Sequence, residues 1–131
     1  MNEDASLLEP ARRTALLAYA PYSRFRVGAA ILCESGIITG CNVENASFGL
    51  SICAERAAVF AAIARGAHRI TRVALACIDA TADMPTATRM PCGACRQVLS
   101  EFAGPETLIF VDTVDTMTLG ALLPEPFLKI T

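Results

Sequence analysis

Three cysteines and a glutamate stand out. Cys53-Ala54-Glu55 is followed further along the chain by Pro91-Cys92-Gly93-Ala94-Cys95. A Cys-x-x-Cys pair offers two thiolates from one tight turn, and Cys53 adds a third from a distant segment. Three soft protein ligands suit Zn2+ and leave its fourth tetrahedral position to water, which is the pattern of a catalytic site rather than a closed structural one. Glu55 is too close to Cys53 in sequence to be a comfortable fourth ligand. It is placed instead to exchange protons with a metal-bound water, and it is the only acidic residue in either segment. The alternative from a different class, a non-catalytic zinc-stabilised binding domain, would have no use for that carboxylate.

Both ligand segments fall where a strand or loop runs into a helix. Helix N-termini present unpaired N–H groups and the positive end of the dipole, and both favour thiolate over thiol. Three thiolates on one divalent ion still sum to a net negative charge, so a cation beside the sulfurs is expected. Arg56 is the candidate donor, set among apolar neighbours, with a solvated arginine as the plainer reading. Arg96 reads as a helix-surface or loop-binding residue. His68, the only histidine, follows Gly66 at a helix end and reads as a surface residue, so a zinc site must rely on sulfur. Cys33, Cys41 and Cys77 lie in apolar, strand-like runs and read as small buried hydrophobes.

The elements that must position these groups alternate. A first helix is expected over residues 8–20, with Leu8, Ala11, Ala15 and Ala18 on one face, stopping before Pro21. Residues 26–32 and 37–43 read as two strands around the turn Glu34-Ser35-Gly36. A second helix is expected over residues 53–65, ending at Gly66; its stretch 57–64 is apolar all round and should be buried on every side. Residues 70–78 form a third strand, 92–102 a third helix, 108–111 a fourth strand, 116–118 a short fifth, and 119–123 a last helical turn before Pro124. The product is a single α/β domain over residues 1–131, a three-layer α/β/α sandwich with one mixed five-stranded sheet.

Length and composition narrow the function. A chain of 131 residues is one domain, and 53% hydrophobic residues with a mean hydropathy of +0.45 is high for so small a unit. Part of that apolar surface is expected to face a partner subunit. The longest apolar stretch is far shorter than the about 20 residues of a membrane span, and Met1-Asn2-Glu3-Asp4 is acidic where a signal peptide is basic. A cytoplasmic chain without membrane contact is expected, with thiols rather than disulfides among its six cysteines. A net charge of −2 and a pI near 5.3 argue against nucleic acid as the partner and for a small substrate.

At this point the residues carry a resemblance. The zinc nucleobase deaminases share the Pro-Cys-x-x-Cys signature. More closely, the chain resembles the short homotetrameric zinc-dependent cytidine deaminases over nearly its whole length. The matching stretches are Ala20-Pro21-Tyr22-Ser23-Arg24-Phe25, Val27-Gly28-Ala29-Ala30, Asn42-Val43-Glu44-Asn45-Ala46-Ser47, Ile52-Cys53-Ala54-Glu55-Arg56, Pro91-Cys92-Gly93-Ala94-Cys95-Arg96-Gln97-Val98-Leu99 and Leu122-Leu123-Pro124.

The resemblance implies one Zn2+ per subunit on Cys53, Cys92 and Cys95, with Glu55 moving protons, and hydrolytic deamination of cytidine and deoxycytidine to uridine and deoxyuridine in pyrimidine salvage. It implies that Asn42 and Glu44 bond the ribose 3′-hydroxyl, that the Ala54 N–H meets the base carbonyl, and that Phe25 packs on the pyrimidine. The backbone carbonyl of Met90 would take the exocyclic amine. Phe127 matches the family's last aromatic, which reaches into a neighbouring subunit's site in a homotetramer. Without the resemblance, residues 42–45 are a polar strand end, Phe25 a core aromatic and Phe127 a plug on its own subunit. Phe48 stands where the family usually has Tyr, Met90 where it has Ser, and Arg26 where it has Pro, and the acidic tail beyond the last aromatic is missing. A deaminase of another aminopyrimidine nucleoside, such as blasticidin S, is the rival substrate reading, and the retained Asn42 and Glu44 favour a plain ribonucleoside.

Overall fold

The computed structural model describes residues 3–130, so Met1, Asn2 and Thr131 lie outside the described residues. The expected hairpin forms from β1 (Val27–Cys33) and β2 (Gly36–Cys41), antiparallel with Cys33 opposite Gly36. Glu34 and Ser35 alone make the turn, and Gly36 takes φ 96°, a region that glycine enters without steric cost. β1 also pairs antiparallel with β3 (Ile70–Cys77), β3 pairs parallel with β4 (Leu108–Val111), and β4 pairs antiparallel with β5 (Asp115–Thr118). The sheet order is β2-β1-β3-β4-β5. Only the β3–β4 pair is parallel, and its crossover carries the helix that bears Cys95.

Alternation along the strands gives each face of the sheet its own helices. Ala29, Ile31, Val73, Leu75, Ile109 and Val111 pack with α2 (Ala54–Ala64) and the helix of residues Gly93–Phe102, α3. Ala30, Ala74, Ala76 and Phe110 face the other way, onto Leu7 and Ala11 of α1 (Glu3–Ala15). A short α4 (Leu119–Leu122) follows β5. The three layers expected from the sequence are therefore present. The contact is close because two strand glycines admit the helices: a Cβ on Gly28 would lie 1.9 Å from the Ala11 carbonyl oxygen, and one on Gly40 would lie 2.4 Å from the Ala58 nitrogen.

Two expectations need correction. The first helix spans Glu3–Ala15 rather than residues 8–20, and its buried face is Leu7, Ala11 and Ala15. Beyond Ala15 the chain tightens into turns, and then Tyr19 N–H donates to the Asn42 carbonyl while Glu44 N–H donates to that of Tyr19. Pairing with the strand end replaces a last helical turn that Pro21 would have ended anyway. The second correction concerns α2. Ala54, Glu55, Ala58, Val59 and Ala62 are buried, but Phe60 is 50% exposed, because the sheet covers only one side of the helix. Among the described residues, no helix is long and apolar enough to cross a membrane.

Candidate active site

Two helix starts meet at one point of this frame. Cys53 is the N-cap of α2 and Cys92 the N-cap of α3, both with extended backbone, and the Cys92 sulfur accepts from the Cys95 N–H at 3.4 Å. The Cys92 sulfur lies 3.4 Å from that of Cys95 and 3.8 Å from that of Cys53, and all three lie within 4.8 Å of one another. Sulfurs about 2.3 Å from a tetrahedral zinc stand about 3.8 Å apart, so the three thiols fit that ion. No fourth His, Cys, Asp or Glu among the described residues joins the group. The donor set therefore leaves one position open.

Charge around the sulfurs is arranged to hold thiolate. The thiol of Cys53 falls to about 5, first through a hydrogen bond from Cys95 and then through Arg56, whose Nη2 lies 3.5 Å from the sulfur. Cys95, donating to Cys53 and buried, is pushed the opposite way, and Arg56 is raised by its bond to Cys53. One negative charge thus settles on Cys53 before any metal arrives, and metal binding would release the remaining thiol protons.

The carboxyl of Glu55, 4% exposed on the first turn of α2, is pushed up to about 7 by burial first and by the charge of Cys53 next. It opens onto a cleft of ≈ 260 Å³ whose floor also includes Cys53, Ala54 and Cys92. Phe25, Val27, Leu75, Cys77 and Met90 form apolar walls, and Ser23, Asn42, Glu44 and Thr88 supply the polar lining. A carboxyl that titrates near neutrality beside a soft metal site, at the bottom of an apolar slot, is suited to giving and taking protons on a flat ring.

The polar lining is held firmly. Asn42 accepts from Val27 N–H at 2.8 Å through Oδ1 and donates from Nδ2 to the Phe25 carbonyl at 2.9 Å, so it fixes the segment that carries Phe25. Glu44 accepts from the N–H groups of Tyr22 and Ser23 at 3.0 and 3.1 Å and from the Ser23 hydroxyl. The Ser23 bond first, and the backbone donors after it, hold its carboxyl below the usual range. Ala54 is fully buried at the first position of α2, where a backbone N–H has no intrahelical acceptor.

Other residues singled out in the sequence lie apart. Phe127 does not line this cleft; Gln97 grips its backbone by two 3.0 Å bonds while the ring remains 75% exposed. Arg26 turns to Asp79 in a two-pronged ion pair. Phe48 is 79% exposed and meets Tyr22 edge-on at 6.5 Å. Arg96 ties the Pro91 and Leu122 carbonyls together, each at 2.8 Å. Cys33 is buried as expected and His68 is exposed, but Cys41 is only half-buried. Cys77 also departs from its expected role: half-buried, it lines the cleft, and desolvation followed by the charge of Glu55 pushes its thiol up to about 12. Sequence reasoning missed Cys77, Ser23 and Thr88 as lining. The position of Cys77 at the C-terminal end of a central strand, where α/β sheets bind ligands, was the available signal.

Comparison with known proteins fits this geometry. Residues 1–111 match the family model for the cytidine and deoxycytidylate deaminase zinc-binding region. The cytidine deaminase of Mycobacterium tuberculosis strain H37Rv is 50% identical over 118 residues, spanning 89% of this chain and 84% of that protein. Among solved structures, the cytidine deaminase from Mycobacterium tuberculosis superposes with a TM-score of 0.82 at 41% identity, covering 98% of this chain and all (100%) of that one. The enzyme from Burkholderia pseudomallei gives 0.82 at 40% identity, with coverage of 97% and 100%.

Proposed function

The chain belongs to the cytidine and deoxycytidylate deaminase family, and on that premise we propose that it hydrolyses cytidine and deoxycytidine to uridine and deoxyuridine, releasing ammonia. The observation that carries this reading is Glu55, buried, with a carboxyl near 7, beside three converging thiols on the floor of an apolar cleft. Cys53, Cys92 and Cys95 would hold Zn2+, which supplies a Lewis acid that activates water for attack on an amidine carbon. Glu55 would carry two protons in turn, one from the attacking water to ring N3 and a second from the newly added hydroxyl to the departing amine. A carboxyl close to half-ionised near neutral pH serves both directions. Arg56 keeps Cys53 ionised. Phe25 packs on the pyrimidine, the Ala54 N–H meets the base carbonyl, and the Met90 carbonyl receives the exocyclic amine.

Asn42 and Glu44, already braced by residues 22–27, direct their remaining hydrogen-bonding capacity to the sugar 3′-hydroxyl. The protein acts in the cytoplasm as a homotetramer in which Phe127 covers the base in a neighbouring subunit's cleft. Its exposed ring on a backbone clamped by Gln97 supports that role, as does the uncovered Phe60 side of α2. The test is loss of cytidine absorbance with purified protein, run beside deoxycytidine, free cytosine and blasticidin S. Cytidine and deoxycytidine should be consumed and cytosine spared, because a site built for a hydroxyl leaves polar groups unmatched without it, at about 1–3 kcal/mol each. Equal rates on cytosine and cytidine would refute the sugar contacts, and preference for blasticidin S would replace the substrate.

A further inference from the structure

The proposed chemistry leaves Arg89 without a role, although its setting is unusual. It is 6% exposed, and the ion pairs among the described residues, Arg12 with Asp112 and Arg26 with Asp79, do not include it. Its guanidinium is satisfied by neutral acceptors instead: Nη2 donates to the carbonyls of Thr81 and Met84 at 3.0 and 3.2 Å, and Nη1 donates to the Thr113 hydroxyl at 3.2 Å. Nε is buried with no partner. A buried cation without a carboxylate is costly, and an apolar side chain of similar volume would fill the space more cheaply. What the planar fork achieves is geometric, since it reaches three acceptors on two separate segments at once.

The loop that Arg89 ends leads into one wall of the cleft. Arg89 ends a 3-10 turn (Thr86–Arg89) placed between Thr88 and Met90, which both line the cleft, and it lies just before Pro91 and the ligand Cys92. Thr81 and Met84 belong to the loop that leaves β3, and Thr113 is in the turn between β4 and β5, held at φ 64°. The Arg89 carbonyl in turn lies 3.9 Å from the thiol of Cys77, another wall residue. Between β3 and α3 the described chain has only this loop and its single 3-10 turn. Thr88 and Met90 bond to Pro85 and Ala87 within it, and Met90 also packs on the core, while the Arg89 fork is what ties the loop to the β4–β5 turn.

We propose that Arg89 is a positioning residue for the base-binding wall: by tying residues 81–90 to the β4–β5 turn it sets where Met90 and Thr88 meet the substrate, and hence how tightly substrate binds. This rests on the deaminase reading of the same cleft. Because Arg89 does not touch the proton carrier, its loss should weaken binding while sparing the chemical step.

The test uses the zinc-loaded full chain, with cytidine turnover, uridine titration calorimetry, zinc content and hydrogen exchange of residues 84–90 measured together. In Arg89→Met, KM for cytidine and Kd for uridine should rise about tenfold or more, as expected for loss of charged hydrogen bonds. Zinc should stay at one equivalent, kcat should remain within about threefold of wild type, and amides 84–90 should exchange faster. Arg89→Lys, which keeps the charge but not the fork, should fall between the two. Thr113→Val, which removes one acceptor from outside the cleft and carries little risk to folding, should raise KM a few-fold and decides the matter if Arg89→Met does not fold. Unchanged KM and uridine affinity in Thr113→Val and in folded Arg89→Met would overturn the proposal, as would a fall in kcat at constant KM. If wild-type protein fails to deaminate cytidine, the proposed function falls on its own. Hydrogen exchange then still tests the clamp, and unaltered exchange in Arg89→Met overturns it.

Discussion

Replacing Glu55 with Gln separates the catalytic use of this carboxyl from its cost to the fold. Burial, with the Cys53 charge behind it, moves its pKa from 4.5 to about 7, which corresponds to about 3 kcal/mol of penalty on the charged form. Below pH 4.5 the group is neutral in folded and unfolded chains alike, so the substitution changes stability little. As pH rises from there towards 7, the unfolded chain gives up its proton first, and the wild-type fold loses stability until the folded carboxyl ionises too. The amide that replaces the carboxyl in the variant does not titrate. In zinc-free protein, where no metal charge offsets the carboxylate, Glu55→Gln should therefore be more stable than wild type by about 3 kcal/mol at pH 8 and nearly equal to it at pH 4. Urea denaturation of both proteins at the two pH values reads this directly, the difference including the coupling of the Glu55 charge to the neighbouring thiols of Cys53, Cys77 and Cys95. With zinc restored, the variant should keep its metal while turnover falls by about 10²–10⁴-fold, the range for a lost general acid–base. A stability difference independent of pH would refute the burial argument, and near-normal turnover would remove Glu55 as the proton carrier.

Protein purified without chelator should carry about one zinc per chain by metal analysis, and Cys92→Ala should lose both metal and stability; retained zinc and activity would sink the ligand assignment. Gly40→Ala places a methyl 2.4 Å from the Ala58 nitrogen and should cost about 3 kcal/mol or more in denaturant unfolding, since neither backbone can yield cheaply. Phe127→Ala should raise KM without releasing zinc, and mixing it with Glu55→Gln chains before reassembly should restore part of the activity, because some clefts then receive Glu55 from one chain and Phe127 from another. No recovery on mixing, or full activity in a monomer, would place Phe127 on its own subunit.

The parts of the site legible in the sequence were those fixed by local spacing. Cys92 and Cys95 share one helix start, and Cys53, Glu55 and Arg56 share another, so the spacing along each segment constrains the groups before the fold is known. The sheet was legible for a similar reason: the apolar run 29–32 and the short turn Glu34-Ser35-Gly36 leave few other pairings. Groups brought in by tertiary contact were not legible. Cys77 read as core because its strand is apolar, and its pairing with Val27 of β1, a contact distant in sequence, is what sets its end at the cleft. The bounds of α1 were misjudged because Leu8, Ala11, Ala15 and Ala18 also make a continuous small-residue face, whereas the sheet buries Leu7, Ala11 and Ala15. The exposure of Phe60 was hidden because an apolar residue on the outer side of a helix and one facing the core read alike in sequence.

Precision in this site comes from how closely α2 approaches the sheet. Its first turn carries Cys53 as the cap, the buried Ala54 N–H, Glu55 and Arg56 in succession, so any displacement of the helix moves thiol, amide, carboxyl and cation together. The absence of a side chain at Gly40 lets that turn pack directly on β2, with Ala54 O 2.8 Å and Ala58 N 2.4 Å from where a Cβ would be. The same approach buries the Glu55 carboxyl and pushes its pKa towards neutrality. Moving α2 outward would hydrate Glu55, lower its pKa towards 4.5 and draw Cys53 away from Cys92 and Cys95. The small residues at this interface, alanine on α2 and glycine on β2, thus set the distance on which the proposed chemistry depends, at which a buried carboxyl titrates near neutrality.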